Sequence, residues 1–231
     1  MKPLKALKAL NTVKRISTIA AKAATLAIGD IFKHIAATSG KSFLVRVSFL
    51  EIYQEEIFDL LSNSKRREPL AIRDDKTGTV KVTNLTEHKV ATADETVSLV
   101  GIGSASRITA ATKMNICSSR SHAILTLTVE QQNESGGATT VAKMNFVDLA
   151  GSERAGKTKA VGERFKEGIK INHGLLSPGN VVSSLSERKF HVPYRNSKLT
   201  RLLLIERLIN GHPSPVVANT VLCACVLIPP T

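Results

Sequence analysis

The sequence predicts an α/β protein in which helices pack on both faces of a central mixed sheet, giving three layers. Two observations support an α/β fold in a single domain. Segments of helical periodicity alternate along the chain with runs rich in β-branched and aromatic residues, which is the pattern of a sheet covered by helices. The 231 residues suffice for one domain with a sizeable core, and they contain no internal repeat or long linker. We therefore expect a single domain.

The first half of the chain is predicted to supply a helix, a long strand and a hairpin. Residues 20–37 have helical periodicity, and Gly40 provides the stop that commonly ends a helix. Residues 42–53 are rich in Val, Phe, Leu and Ile and indicate a central strand. A short helix over 55–61 and a polar, basic loop over 62–68 are expected next. Within 71–86, the sequence Asp-Asp-Lys-Thr-Gly between two β-like runs indicates a hairpin.

The second half is predicted to continue the alternation. The expected elements are a helix over 94–104, strands over 123–131 and 139–148 joined by a turn at 133–137, helices over 163–185 and 197–208, and a last strand within 216–230. Asn219 and Thr220 interrupt this last apolar run, and no run approaches the roughly 20 residues that a membrane helix needs. No membrane partner is expected.

The composition indicates a globular protein with a strong excess of positive charge. Hydrophobic residues at 42% and charged residues at 22% argue against general disorder. The 32 Lys and Arg residues exceed the 19 Asp and Glu residues, so the formal net charge is +13. This sign favours a polyanionic partner: nucleic acid, an anionic membrane or an acidic protein surface. Aromatic residues are only 4% and Trp is absent, which argues against base stacking on single-stranded nucleic acid.

The three cysteines indicate a reducing compartment, because they are few and odd in number. Cys223 and Cys225 would lie on one face of the last strand. We interpret them as buried thiols, since a metal site needs more ligands.

Residues 1–24 form a basic N-terminal segment that differs from the rest of the chain. Residues 1–27 hold six basic side chains, no acidic one, and apolar residues at helical spacing. We favour a solvated basic helix. A mitochondrial transit peptide is the alternative, although Arg and Ser are scarce.

Two polar motifs carry the chemistry of the sequence. The first, N-x-x-S-S-R-S-H at 115–122, places Ser hydroxyls beside an Arg and a His, a combination that suits Mg²⁺ and phosphate ligation. The second, D-L-A-G-S-E at 148–153, ends an apolar strand. Its Asp148 can hold Mg²⁺ through water, and its Gly151 lets a backbone N–H approach a terminal phosphate.

These two motifs resemble switch I and switch II of kinesin motor domains. Three further segments agree with that family in the same order: FLEIYQEEIFDLL at 49–61, INHGLL-x-x-GNVVSSL at 171–185 and HVPYRNSKLTRLL at 191–203. The amino-acid sequences at 165–169 and 111–115 are similar to those of the chromokinesin group. The resemblance covers about residues 25–228, so we assign 25–231 to a partial motor domain with a three-layer kinesin-like fold.

The resemblance implies a set of site residues. Arg120 would pair with Glu153 to close the two switches, and Asn172 would help to place the attacking water. The remaining implied residues are Ser118, Ser119, Ser121, Asp148 and Gly151 for ATP and Mg²⁺ (Ser119 and Asp148 for the metal), and Lys157, Lys159, Lys166, Arg195, Lys198 and Arg201 for the microtubule. Basic residues that face acidic tubulin would also account for the net charge.

The sequence departs from the family pattern ahead of the first helix. Kinesins carry a Gly-rich phosphate-binding loop there, whereas this chain has a Lys-, Ala- and Leu-rich stretch. The opening strand, the last helix and the neck linker of the family are also missing, so we expect an incomplete fold, truncated at both ends, in which the phosphates lose their main cradle.

A second segment matches the sequence pattern of a phosphate-binding loop. Residues 151–158, which start at Gly151 and end in Lys157 and Thr158, satisfy G-x-x-x-x-G-K-[ST] and follow a strand. A P-loop needs a later Walker-B Asp, yet no Asp follows Asp148, and Glu153 would repel phosphates.

Pro178 is a further departure, because it lies inside the helix predicted over 163–185. An interior Pro removes a backbone hydrogen bond and costs about 3 kcal/mol. In kinesins this helix relays nucleotide state to the microtubule, so this coupling is expected to change.

The function predicted from the sequence is therefore a kinesin-like, microtubule-binding motor domain, cytoplasmic and cytoskeletal, whose ATP-dependent movement is impaired. Whether it is an enzyme stays open at this point. The alternatives are a non-enzymatic microtubule-binding module and an independent P-loop NTPase that uses 151–158; a basic nucleic-acid binder is disfavoured.

Overall fold

The computed structural model describes residues 18–64, 66–74, 80–113, 120–150, 163–203 and 217–225. In chain order its elements are α1 (Thr18–Ala37), β1 (Lys41–Tyr53), β2 (Glu56–Asp59), β3 (Ile72–Asp74), β4 (Val80–Val82), β5 (His88–Val90), α2 (Ala93–Lys113), β6 (His122–Asn133), β7 (Thr140–Asp148), α3 (Glu163–Ser186), a 3₁₀ turn (Tyr194–Asn196), α4 (Lys198–Leu203) and β8 (Val217–Cys225).

A mixed sheet lies at the centre, as predicted. Its strand order is β2-β1-β6-β7-β8, and β5 also pairs with β1. All of these pairs are antiparallel except β7–β8, which is parallel. β3 and β4 form a separate two-stranded unit, which confirms the hairpin expected within 71–86. The two strands and turn predicted over 123–148 are confirmed as β6 and β7.

Each face of the sheet has its own hydrophobic core, and this produces the three layers. On one face, Val47 and Phe49 of β1 pack with Ile28 of α1 and with residues of α2. On the other face, Leu50 packs with Val181 of α3 and with residues of α4. Successive side chains of a strand point to opposite faces, so the continuous apolar run of β1 serves both cores.

The prediction of a helix over 55–61 is wrong. β2 instead returns antiparallel to β1, pairing Ile52 with Ile57. The two turn residues, Gln54 and Glu55, have φ of 51° and 62°, which matches the tight turn that favours the twist of a hairpin. Ile57 is fully buried. Burial of this side chain in the sheet outweighs the local helix preference of the Glu-rich sequence.

Other boundaries follow the sequence more closely. α2 extends nine residues beyond the predicted end at 104, and its start is capped by Thr92 Oγ1, which accepts from the N–H of Glu95 at 3.2 Å. α3 continues through Pro178. Residues 1–17 and 204–216 lie outside the described residues, so the amphipathic segment and the end of the helix predicted over 197–208 stay predictions. Within the described ranges, no helix has both the length and the apolar character to cross a bilayer.

Candidate functional site

The two polar motifs meet at one end of the central sheet. β6 begins at His122, directly after Arg120 and Ser121, and β7 ends at Asp148. The antiparallel register pairs Ala123 with Asp148, so the entry to β6 lies beside the exit from β7. Strand pairing therefore brings the described parts of both motifs together.

Arg107 of α2 joins the two motifs. Its side chain is only 9% exposed. Nη1 donates to Oδ2 of Asp148 at 2.7 Å, and Nη2 donates to the carbonyl oxygen of Ser121 at 2.6 Å. Nε and Nη2 also donate to Ser121 Oγ, at 3.2 and 3.1 Å. Because a guanidinium holds its donors in a rigid plane, this one side chain fixes the relative position of Asp148 and the start of β6.

Glu51 of β1 balances the buried charge of Arg107. It is 3% exposed, and its Oε1 lies 3.5 Å from Arg107 Nε. Its other oxygen pairs with Arg67, whose guanidinium carbon lies 4.4 Å from the centroid of the Phe58 ring. Burial, and secondarily the charge of Arg107, lower the pKa of Arg67. A buried guanidinium without carboxylates is strongly unfavourable, so Glu51 and Asp148 together stabilise Arg107 in this position.

The two oxygens of the Asp148 carboxylate differ in their surroundings. Its Oδ1 is buried and has no hydrogen-bond partner in the part of the chain that the structure describes. Such an atom needs a partner, and Mg²⁺ fits, because it binds through one or two carboxylates together with waters and phosphate oxygens. Among the described residues no group of three or more His, Cys, Asp and Glu side chains could hold a metal ion. One carboxylate oxygen, completed by waters and phosphate oxygens, is a donor set that Mg²⁺ accepts.

His122 is a buried neutral side chain next to this cluster. Its Nδ1 accepts from the backbone N–H of Ala150 at 3.1 Å, which leaves the proton on Nε2. Burial, and secondarily the charge of Arg107, lower the pKa of His122 to about 4. His122 thus positions the chain that leaves β7 after Asp148.

The tip of the β1–β2 hairpin contacts two helices below the site. Oε2 of Glu55 accepts from the backbone N–H of Lys198 at 2.7 Å and so caps α4. A Cβ added at Gly174 of α3 would lie 3.3 Å from Glu55 Oε1 and 3.2 Å from His122 Nε2. The absence of a side chain at Gly174 lets α3 pack against both groups.

The described residues predicted to face the microtubule form one basic surface. Arg195 lies on the 3₁₀ turn, and Lys198 and Arg201 lie on α4. The side chain of Arg195 is 84% exposed and that of Arg201 is 28% exposed. Both guanidiniums approach Asp74 at the end of β3, at 3.5 and 2.8 Å.

Several predicted residues cannot be placed. Ser118, Ser119, Gly151, Glu153, Lys157 and Lys159 lie outside the described residues. Lys166 and Asn172 belong to α3, but only their backbone is described. The pairing of Arg120 with Glu153 and the loop at 151–158 therefore stay predictions.

The sequence analysis missed Arg107 and Glu51. Glu51 did leave a signal, because it is an acidic residue within a strand that is otherwise apolar on both sides of it. A charge predicted to be buried needs an opposite charge, so Glu51 indicated a buried basic partner, although nothing in the sequence singles out Arg107 among the basic residues.

Known proteins resemble this chain over most of its length. The kinesin motor domain family model matches residues 23–223. Kinesin-like protein KIN-4C of Arabidopsis thaliana is 44% identical over 230 residues, which cover 85% of this chain and 17% of that protein. Chromosome-associated kinesin KIF4B of Homo sapiens is 48% identical over 199 residues, which cover 85% of this chain and 16% of that protein. The solved structure of a fast kinesin superposes with a TM-score of 0.73 at 35% identity, covering 87% of this chain and 55% of that one. The chain thus spans about a sixth of the length of these curated relatives.

Proposed function

The chain belongs to the kinesin motor domain family, as its motifs predicted, and from that premise we propose that it is a microtubule-binding motor domain that binds ATP with Mg²⁺ but hydrolyses ATP only weakly. One observation carries the proposal. Arg107 joins Asp148 and Ser121, so the two nucleotide-sensing motifs belong to one charged cluster. We further propose that the chain acts in the cytoplasm on the cytoskeleton.

Asp148 supplies the carboxylate for Mg²⁺ through the oxygen that Arg107 leaves unused. When bound, Mg²⁺ neutralises charge on the phosphates. By resemblance, Ser118 and Ser119 contribute hydroxyls and Gly151 contributes a backbone N–H to the same region. Asp148→Asn should therefore weaken Mg²⁺-dependent binding of a fluorescent ATP analogue, with binding in EDTA as the reference.

Ser121 takes part through Arg107. Its side chain is fully buried, and its hydroxyl accepts from that guanidinium. Ser121 therefore orients Arg107, and we propose that it affects the nucleotide through that guanidinium.

Arg120, Glu153 and Asn172 are the proposed catalytic group. Pairing of Arg120 with Glu153 closes the two switches, and Asn172 orders the water that attacks the phosphate. All three act by positioning, which together with electrostatics supplies nearly all catalysis of phosphoryl transfer.

We expect ATP hydrolysis by this chain to be weak. The sequence ahead of α1 is rich in Lys, Ala and Leu instead of carrying a Gly-rich loop, and backbone N–H groups of such a loop are the usual cradle of the phosphates. Steady-state ATP turnover should stay at background with and without microtubules. A stimulated turnover that Glu153→Ala abolishes would contradict this expectation and show that the switches work.

Binding to microtubules is expected to depend on the basic surface. Wild type should pellet with microtubules, and salt should weaken this binding by screening. Replacing Arg195, Lys198 or Arg201 singly by Gln should reduce pelleting. The matched control is Lys33→Gln, which removes an exposed cation of α1 on the opposite face of the sheet. A folded wild type that does not pellet at low salt would refute this function.

The same assays decide between the proposed motor domain and its alternatives. Pelleting without nucleotide binding would identify a non-enzymatic microtubule-binding module, which the composition ahead of α1 favours. Lys157→Ala tests the stretch 151–158. Loss of nucleotide binding with intact pelleting would identify this stretch as a P-loop. In the proposed function, Lys157→Ala weakens only microtubule binding, and modestly.

A further inference from the structure

Asp74 lies between two arginines of the basic surface and is shared by them. Its Oδ2 accepts from Nη2 of Arg201 at 2.8 Å and lies 3.5 Å from Nη2 of Arg195. The three residues come from three different elements, namely the end of β3, the 3₁₀ turn and α4. Among the described residues, the ion pairs of these two arginines are made with Asp74 alone.

The fold holds Asp74 in this place. β3 and β4 pair through Ile72 and Val82, and both of these side chains pack against the core that also contains Leu199 and Leu203 of α4. The N–H of Thr83 donates to the carbonyl oxygen of Ala71 at 2.8 Å and continues the hairpin ladder. The carboxylate is therefore presented to α4 by a packed hairpin and not by a free loop.

The position of Asp74 changes what the basic surface offers to a partner. Arg195, Lys198 and Arg201 carry three positive charges, and Asp74 cancels one of them. It also occupies Nη2 of Arg201, one of the donors that an acidic side chain of a partner could use. A carboxylate of the partner must therefore displace Asp74 from Arg201 or share that guanidinium with it.

We propose that Asp74 is an internal competitor for the acidic partner of this surface and sets the strength of its binding. This inference rests on the proposed function, in which the partner is the acidic surface of the microtubule. The inference has a specific consequence: most of the effect of removing the Asp74 charge must pass through Arg201, the nearer of its two arginine partners at 2.8 Å against 3.5 Å for Arg195.

A cycle of four proteins tests the inference: wild type, Asp74→Asn, Arg201→Gln and the double variant. Dissociation constants are measured by pelleting with stabilised microtubules at low and at moderate salt. Asp74→Asn should bind about two- to fivefold more tightly than wild type, the range expected for a partly exposed ion pair. In the Arg201→Gln background the same change should have less than half of that effect. Far-UV circular dichroism and thermal melting show that all four proteins are folded.

Asp30→Asn is the matched control. Asp30 is an exposed acid that also pairs with a cation, Lys33, but it lies on α1 across the sheet from α4. It makes the same change in net charge and should leave microtubule binding within error of wild type.

Each outcome bears on the inference. An Asp74→Asn protein that binds like wild type overturns it. One that binds more weakly also overturns it, since Asp74 would then orient Arg201 for the partner. If Asp74→Asn raises the affinity equally in the Arg201→Gln background, or if Asp30→Asn raises it as much, the effect comes from net charge alone. Either result overturns the proposed competition. A wild type that does not pellet refutes the proposed function, and this inference with it, whereas a wild type that pellets with no gain for Asp74→Asn refutes the inference alone.

Discussion

Replacing Gly103 by Ala should destabilise the protein, because α2 packs against β1 at this position with no room for a side chain. A Cβ at Gly103 would lie 2.3 Å from Cδ1 and 2.9 Å from Cε1 of Phe49. Carbon atoms in contact lie about 3.5–4.0 Å apart, and Phe49 is buried in the first core, so its ring cannot swing into solvent.

Two effects of opposite sign set the magnitude. Ala in place of Gly in a helix interior stabilises by about 1 kcal/mol, whereas overpacking of a core costs about 1–3 kcal/mol. The overlap at Gly103 is severe, so we expect a net loss of about 1–2 kcal/mol in the free energy of unfolding. Gly29→Ala in α1 is the matched control, since nothing lies within 4 Å of its added Cβ, and it should stabilise by about 0.5–1 kcal/mol.

Urea unfolding of wild type and both variants measures the difference. The double variant Gly103→Ala with Phe49→Leu should recover part of the loss, because the smaller side chain makes room, and a double-mutant cycle gives the coupling. The distortion caused by Gly103→Ala should extend to the Arg107 cluster. Arg107 lies one turn beyond Gly103, and Glu51 shares the face of β1 that carries Phe49. A Gly103→Ala protein as stable as Gly29→Ala would refute this reasoning.

Three further experiments test other parts of the structure. Gly179→Ala should stabilise by about 0.5–1 kcal/mol in urea unfolding, whereas Gly174→Ala should give no such gain, because its Cβ would crowd His122 and Glu55; equal gains would contradict the close packing of α3. The pKa of His122 is about 6.5 in the unfolded chain and about 4 in the folded protein. The unfolded chain therefore binds the proton first, and the free energy of unfolding should fall as pH drops from 6.5 to 4, by up to about 1.4 kcal/mol per pH unit. His122→Gln should flatten this slope in acid-unfolding titrations, unlike exposed His191→Gln; an unchanged slope would argue against a buried neutral His122. Pro178→Leu should raise the melting temperature by restoring a donor inside α3, and an unchanged value would show that the helix already accommodates the proline.

Most of the sheet could be predicted from the sequence, because its signals are local. The apolar run of β1 and the alternation of β6 identify strands by composition and period alone. β2 could not be predicted, because its turn residues Gln54 and Glu55 adopt positive φ, whereas such a turn is recognised in a sequence by Gly or Asn. Only the pairing with β1 and the burial of Ile57 decide its conformation.

The candidate site was predictable only where motifs carry it. Asp148 and Ser121 follow from their motifs, and the register of β6 and β7 brings them together. The role of Arg107 depends on the packing of α2 against β1, a contact between segments far apart in sequence. No periodicity within α2 distinguishes this arginine from one on a solvated helix face.

The register between β6 and β7 also determines where this chain can change length without harm. Residues 134–139, which join the two strands, are all exposed, so insertions there would lie in solvent, far from Asp148 at the other end of the ladder. One residue added inside β7 would instead turn every later side chain to the opposite face. Asp148 would then point away from Arg107 and the apolar Val147 would take its place. Related sequences should therefore vary freely in the length of this turn, while the number of residues from Thr140 to Asp148 stays constant.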